Sequence, residues 1–339
     1  MKEDSAQFPD ISVIIPAFNE ERFIAQCLTS LYEQDYPSER MQVIVVDGNS
    51  TDETAQIVRK QFPQVTLLEN PDRIVPISMN MGIRIATGEY IVRLDAHALY
   101  PTNYISTLIT KAKELNADNI GACWLTEPGN TSSKARAIAI ATSTKFGMGN
   151  ADYRLGTDKI KRVDTVPFGC YHRTVFDKIG LYDEELVRNQ DDELNARLIK
   201  SGGKIYLLPN LEIKYFAREN IKKVARMFYQ YGLFKPLGNK KVGAITTFRQ
   251  LVPFAFVSYI ALAIVFTLLW SQLTFYILAP LFLYLIIDIF YSLAVSSSVA
   301  TYLWLLVIYP VVHFSYGVGY WHGIIKILFG TPFTAKSSR

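Results

Sequence analysis

The chain has 339 residues, half of them hydrophobic and 19% charged, with a formal net charge of +4. That length exceeds one ordinary soluble domain, and an apolar content concentrated towards the C-terminus argues against a purely soluble protein. The modest net charge, with basic residues clustered just before the apolar runs, points to anionic lipid and away from nucleic acid as a partner.

The N-terminal stretch MKEDSAQFPDISVIIP is acidic and polar before one short apolar run. It lacks the basic start and long apolar core of a signal peptide, so the residues before about 245 are expected to stay in the cytosol. Cys27, Cys123 and Cys170 are scattered, odd in number and form no C-x-x-C pair, as expected of reduced, buried thiols in a cytosolic domain.

Strand and helix patterns then alternate. ISVIIP (11–16) reads as a buried strand, and residues 20–34 carry Phe23, Ile24, Cys27, Leu28 and Leu31 at helical spacing. QVIVVD (42–47) is a second strand, followed by a helix over 50–62 opened by a capping box, Ser50 with Glu53. QVTLLEN (64–70) is a third strand, 76–88 a helix stopped by Gly88, and EYIVRLD (89–95) a fourth strand. Such alternation with short connections predicts an α/β fold with a mostly parallel central sheet covered by helices. Sheets of this kind bind ligands beyond the carboxyl ends of their strands, which is where Asn19, Asp47 and Asp95 fall.

Further on, the pattern gives helices over 102–115 and 132–145, a strand over 119–125 and a mobile loop over 147–164. A strand or turn over 165–173, a helix over 189–203 and extended chain over 204–216 follow. Residues 219–235 form an amphipathic helix, with Ile221, Val224, Ala225 and Phe228 on one face, suited to a bilayer surface. Runs at 251–270 and 274–295 are each long enough to cross a membrane, a third run starts near Val299 and continues through Phe314, and, the histidines His313 and His322 aside, Asp288 is the only acid or base between Arg249 and Lys326. An acid there is costly and no basic partner within the runs is evident, so it carries no assigned role. The expected organisation is a cytosolic catalytic domain (1–217), an interfacial helix and linker (218–248), about three spans (249–328) and a polar tail (329–339). Basic residues from Lys222 to Arg249 agree with a cytosolic side before the first span. Three spans leave the C-terminus outside, whereas Lys326, Lys336 and Arg339 favour the inside; Gly317, Gly319 and Gly323 offer a break in the last run.

No G-x-G-x-x-G follows the first strand and no G-x-x-x-x-G-K-[ST] occurs, which argues against a dinucleotide oxidoreductase and a P-loop enzyme. In IVRLDAHALYP, Asp95 and His97 stand two apart at a strand end. Together they can share a divalent ion, the nitrogen ligand tilting the choice from Mg²⁺ towards Mn²⁺. Equally, Asp95 can cap the following turn while His97 packs.

The segments VIIPAFNEE, VVDGNSTDET, MNMGIRIATGEYIVRLDAH and FGCYHRTVFDKIGLYDEEL…NQDDELNARL occur in one order. Together they resemble family 2 glycosyltransferases of GT-A fold over about residues 10–235. The D-A-H-A-x-Y-P form and the C-terminal apolar runs bring the resemblance closer to ExoA-like enzymes of succinoglycan-type exopolysaccharide synthesis. The resemblance implies that Pro16, Ala17, Asn19 and Glu20 form the nucleotide-binding loop and that Asp47 holds the base, usually uracil. It places Asn80, with Gly82 and Gly88, under the donor, and Asp95 with Ala96 beside it. Asp95 and His97 match the family's D-x-D, where a metal bridges the two phosphates, with His97 replacing the second carboxylate. Asp191 falls on the general base that takes the acceptor hydroxyl proton, and Gln190 stands where the family usually has Glu. The resemblance puts GCYHR (169–173) on the acceptor side, where His172 or Arg173 could meet a phosphate; a surface turn is an equal reading of the same residues. QYGLFK (230–235) lacks the Arg and Trp of the Q-x-x-R-W of processive synthases, which argues against a polymer synthase.

The expected function is a membrane-anchored inverting glycosyltransferase using a UDP-sugar, a divalent metal (Mn²⁺ or Mg²⁺) and a polyprenyl-diphosphate-linked saccharide acceptor. The expected setting is the cytoplasmic face of the cell inner membrane, alongside other polysaccharide-assembly proteins. The alternatives are a polyprenyl-phosphate sugar synthase and a non-catalytic nucleotide-sugar sensor.

Overall fold

A computed structural model describes residues 8–333, so Lys336, Arg339 and most of the polar tail lie outside the described residues. Two compact units are present. One joins the residues up to 125 with 152–215, and the other joins 126–151 with the residues from 216 onward.

The first unit is built on β1 (Ile11–Ala17), β2 (Met41–Asp47), β3 (Thr66–Glu69), β4 (Tyr90–Arg93) and β5 (Ala98–Leu99). β6 (Asn119–Glu127), β7 (Lys161–Arg162), β8 (Cys170–His172) and β9 (Ile205–Phe216) complete the sheet. The strand order is β3-β2-β1-β4-β8-β6-β9-β5, with β7 beside β9. β3, β2, β1 and β4 run parallel, and β8 then enters antiparallel to β4. The expected α/β fold with a mostly parallel central half is therefore present.

Seven consecutive buried residues in β1 follow from helices covering both faces of the sheet. Val13 and Ile15 pack with α1 (Ile24–Tyr32) and α4 (Tyr104–Leu115), through Leu28, Leu31, Ile105 and Leu108. On the other face Ile14 and Ile44 pack with Met79 and Ile83 of α3 (Val75–Ile85), Val175 and Phe176 of α8 (Thr174–Ile179), and Leu194 and Leu198 of α9 (Gln190–Lys200). The period-2 alternation of strands sends neighbours to opposite cores. Each such side chain contributes about 1.5–3 kcal/mol on burial.

Three local expectations are corrected. The capping box does not form: α2 runs Thr54–Gln61, with Glu53 before it making no side-chain cap. Ser50 instead donates its hydroxyl to Asp47 (2.5 Å) and accepts the Asn19 N–H (2.9 Å), so it ties two loops together. Gly88 is not the helix stop, because α3 ends before the extended Ala86. A Cβ on Gly88 would lie 2.4 Å from the Ile11 carbonyl carbon, so glycine is needed for close backbone approach. The expected mobile loop carries regular structure: it contains α7 (Asp152–Leu155), the exposed strand β7 and a buried Arg154 whose guanidinium lies 4.5 Å above the Trp124 ring.

The second unit contains α5 (Ser133–Ala141), the short α6 (Lys145–Met148), α10 (Ile221–Val242), α11 (Leu251–Leu269), α12 (Thr274–Val295) and α13 (Val299–Leu328). Residues 126–151, read in sequence as part of the catalytic stretch, thus group with the C-terminal helices. Three helical segments are long and apolar enough to cross a membrane: Phe248–Leu269, Ser271–Val295 and Val299–Leu328. α13 is unbroken, so its glycines do not interrupt it. They serve packing: a Cβ on Gly319 would sit 2.1 Å from the Tyr229 carbonyl oxygen, and one on Gly232 2.0 Å from that of Tyr316. The apolar face of α10, read as bilayer-facing, is consequently covered by protein. Val224, Met227 and Phe228 pack with Leu305, Ile308, Tyr309 and Val312 of α13 and with Ala137 and Ile138 of α5. Lys222 and Lys223 stay exposed. Asp288 is buried and accepts a hydrogen bond from Ser292 (3.0 Å).

Candidate active site

The parallel strands end in loops stapled to one another. β1 and β2 end level, with Ala17 opposite Asp47. Asn19 adopts a left-handed backbone conformation (φ 56°), and its side-chain oxygen accepts the Thr51 N–H at 2.8 Å. Asp47 is buried and accepts from the Ser50 N–H (3.0 Å) as well as its hydroxyl. Glu20 donates its backbone N–H to the Thr54 hydroxyl (2.8 Å). Pro16 and Ala17 belong to the end of β1 itself. The residues expected to bind nucleotide are therefore brought together at one edge, except Asn80. Asn80 donates its amide to the Tyr182 carbonyl (2.9 Å) and Glu184 (2.8 Å) and accepts the Tyr182 N–H (2.9 Å), so it holds that loop.

Beside this edge Glu20, Asp95 and His97 converge, their ligand-type atoms all within 4.8 Å of one another. His97 Nδ1 lies 2.7 Å from Asp95 Oδ1 and 3.3 Å from Glu20 Oε1. All three are nine-tenths buried. Two buried carboxylates side by side are costly without a compensating cation. The turn that presents them is fixed locally. The Tyr100 hydroxyl accepts the Asp95 N–H at 2.7 Å, and the Ala98 N–H meets the Asp95 carbonyl at 3.3 Å. Ala96 is fully buried. Below, Cys27 points its Sγ at the Asp95 carbonyl (3.6 Å); burial, with Asp95 and Glu20 nearby, pushes its thiol well up, so it is a neutral group.

Asp191 lies in the first turn of α9 and forms an ion pair with Arg93, the last residue of β4. Burial raises the Asp191 carboxyl above the usual carboxylate range, and the Arg93 charge opposes the shift. Glu193 is held by Arg197 (2.5 Å), which also donates to the Leu181 carbonyl (2.8 Å), so that acid is structural. His172 lies in β8, away from this pair. It pairs with Tyr90, at the opposite end of β4 from Arg93, and bonds to Thr174 (2.7 Å).

Between the Asp191 pair and the His97 turn runs a line of rings. Arg93 lies over Phe168 (5.6 Å), Phe168 stacks on Trp124 (5.1 Å), Trp124 on Tyr215 (4.2 Å), and Tyr215 neighbours His97 (5.6 Å). Phe168 holds a left-handed backbone (φ 50°), a conformation costly for a bulky residue and concentrated at functional sites. Sequence reading missed Arg93, Trp124, Phe168 and Tyr215, and it read Glu20 only as part of the nucleotide loop, whereas Glu20 also stands beside Asp95 and His97. The signal available was the buried arginine two residues before Asp95 in the strand.

Comparison with known proteins bears on the family and the fold. Residues 12–180 match the glycosyl transferase family 2 model. The chain is 27% identical over 93% of its length to a dolichyl N-acetyl-alpha-D-glucosaminyl phosphate 3-beta-D-2,3-diacetamido-2,3-dideoxy-beta-D-glucuronosyltransferase of Methanococcus voltae, covering 97% of that protein. It is 28% identical over 75% of its length to the succinoglycan biosynthesis protein ExoA of Rhizobium meliloti, covering 78% of it. A mannosyltransferase from Pyrobaculum calidifontis, solved with GDP-Man and Mn²⁺, has the same fold: the TM-score is 0.56 at 20% identity, covering 95% of this chain and 88% of that one. The chain belongs to the family 2 glycosyltransferases and carries that enzyme domain on a GT-A fold.

Proposed function

We propose that the protein transfers one sugar from a UDP-sugar to a hydroxyl of a lipid-phosphate-linked saccharide in polysaccharide biosynthesis, with inversion at the anomeric carbon. The observation that carries this reading is the buried donor cluster of Glu20, Asp95 and His97, together with the carboxylate of Asp191, which pairs with Arg93 two residues before Asp95. Support for the acceptor class comes from the Methanococcus relative, named for a dolichyl-phosphate-linked sugar, and a Campylobacter relative, named for an undecaprenol-linked saccharide; the Rhizobium relative supports polysaccharide biosynthesis.

In the transfer, the acceptor oxygen bonds to the anomeric carbon as the bond to the nucleoside diphosphate breaks. Asp191 takes the proton from that oxygen. Asp47 and the loop of Pro16, Ala17, Asn19 and Glu20 bind the nucleotide, and Asp95 with Ala96 borders it. Asn80 acts at one remove, by holding the loop at Tyr182 and Glu184. Two carboxylates and an imidazole suit Mn²⁺ or Mg²⁺, and Glu20, Asp95 and His97 would hold the ion. When bound, such an ion neutralises charge on the departing diphosphate.

The setting we infer is the cell inner membrane, with residues 1–217 catalytic on the cytoplasmic side and the apolar helices as anchor; other polysaccharide-assembly proteins would act beside it. The test is a transfer assay in membranes with UDP-sugars and GDP-mannose, against lipid-linked saccharides carrying one or two phosphates, with and without Mn²⁺. Transfer only to a bare lipid monophosphate would replace this reading with a polyprenyl-phosphate sugar synthase. Donor binding with no transfer from any donor would replace it with a sensor.

A further inference from the structure

We propose that Arg93 is the positioning residue of the base: it fixes the Asp191 carboxylate relative to the Asp95 turn, an inference that rests on reading Asp191 as the base. The two residues are 98 apart in sequence, yet Arg93 Nη1 bonds directly to Asp191 Oδ1. The side chains are 7% and 23% exposed, so the pair is largely shielded from water and its geometry is worth more than that of a surface pair.

Arg93 is itself held from three sides. Its backbone N–H donates to the Gly169 carbonyl (3.1 Å), and the next residue, Leu94, donates to the Ile14 carbonyl (3.0 Å). Its guanidinium rests over Phe168, whose left-handed backbone precedes Gly169. A Cβ at Gly169 would lie 2.2 Å from Asn119 Oδ1, so glycine keeps that segment close to the sheet. Asp191 is fixed from the helix side, because Arg197, paired with Glu193 on the same helix, ties α9 to the Leu181 carbonyl.

Arg93 stands two residues before Asp95 in the same chain segment, the spacing at which extended chain repeats a face. One strand end therefore sets both the carboxylate that takes the proton and the turn on the leaving-group side. A buried arginine kept only for structure satisfies its donors. Here Nε is buried without a hydrogen-bond partner among the described residues, so the guanidinium is oriented by Asp191 and the Phe168 ring. Lysine lacks the planar fork that both contacts use. The charge acts in the same sense, since it opposes the cost of burying the ionised carboxylate. Asp192, Asp95, Tyr171 and Tyr182 are other titratable groups that bear on the pair.

The test uses the full chain in detergent, with R93Q, R93K, D191N and the R93Q/D191N double variant. Transfer rate and UDP-sugar affinity are measured for each. R93Q is expected to lower kcat about 100-fold, within the range of a misplaced general base, with donor affinity changed less than about threefold. R93K is expected to recover part of that loss. In the double variant R93Q should add no loss beyond D191N, because the two act through one group. Wild-type kcat in R93Q, a parallel loss of donor affinity, or losses that multiply would overturn the proposal. Wild-type kcat in D191N would instead overturn the reading of Asp191 as base. If R93Q does not fold, R93K and R93K/D191N read the same coupling.

Discussion

The Tyr100 hydroxyl accepts the backbone N–H of Asp95 at 2.7 Å, and both groups are buried. The tyrosine five residues downstream thus closes the turn that presents Asp95 and His97. Tyr100→Phe leaves that N–H without its acceptor, at a cost of about 1–3 kcal/mol. A denaturant melt should show the loss, and Mn²⁺ affinity should fall with it. Unchanged stability and affinity would mean that the hydroxyl does not hold the turn.

Glu20 was grouped with the nucleotide loop in sequence, but the fold sets it against His97. Glu20→Gln and His97→Ala should each weaken Mn²⁺ binding about tenfold or more, since each removes one of three donors. Calorimetric titration of the purified protein checks this. Wild-type Mn²⁺ affinity in both variants would remove the metal role from this cluster.

The Asp191 carboxyl is raised above the usual carboxylate range by burial, against the opposing charge of Arg93. A base acts when ionised, so kcat/KM should fall as pH drops through that raised value. Its acid limb should lie above that of an exposed aspartate. For stability the sign is the reverse: the folded chain holds this proton more tightly than the unfolded chain. The contribution of Asp191 is therefore fullest below its unfolded value and is lost as pH rises through the folded one. An acid limb at the ordinary aspartate position would show that another group sets it.

Two glycines of α10 give a matched comparison. Gly232→Ala places a Cβ where the Tyr316 carbonyl oxygen is 2.0 Å away, so α10 and α13 must separate; a loss of about 1–3 kcal/mol is expected. Gly238→Ala meets nothing within 4 Å and should gain about 0.5–1 kcal/mol from helix propensity. Melting temperatures in detergent distinguish the two. A Gly232→Ala variant as stable as wild type would show that the helices do not pack this closely.

Local chemistry was legible without coordinates. The β-branched runs at 11–16 and 42–47, the helical spacing of Leu28 and Leu31, and the long apolar segments after Arg249 each depend on neighbours a few residues away. The Ser50–Glu53 capping box misled because the Ser50 hydroxyl had a better use, bonding Asp47 and the Asn19 N–H across loops. For His172 the sequence left an acceptor role and a surface turn open, and antiparallel pairing sets it opposite Tyr90, at the other end of β4 from Arg93.

From the sequence alone came the α/β alternation, the acids at strand ends, the Asp95–His97 turn and three apolar segments, because period and local motif encode them. The tertiary structure decided which groups meet. Inserting β4 between β1 and β8 set Arg93 against Asp191 and brought Glu20 to His97. Close glycine packing turned the apolar face of α10 towards α13. Such contacts join residues far apart in the chain, and only the sheet order and helix packing fix them.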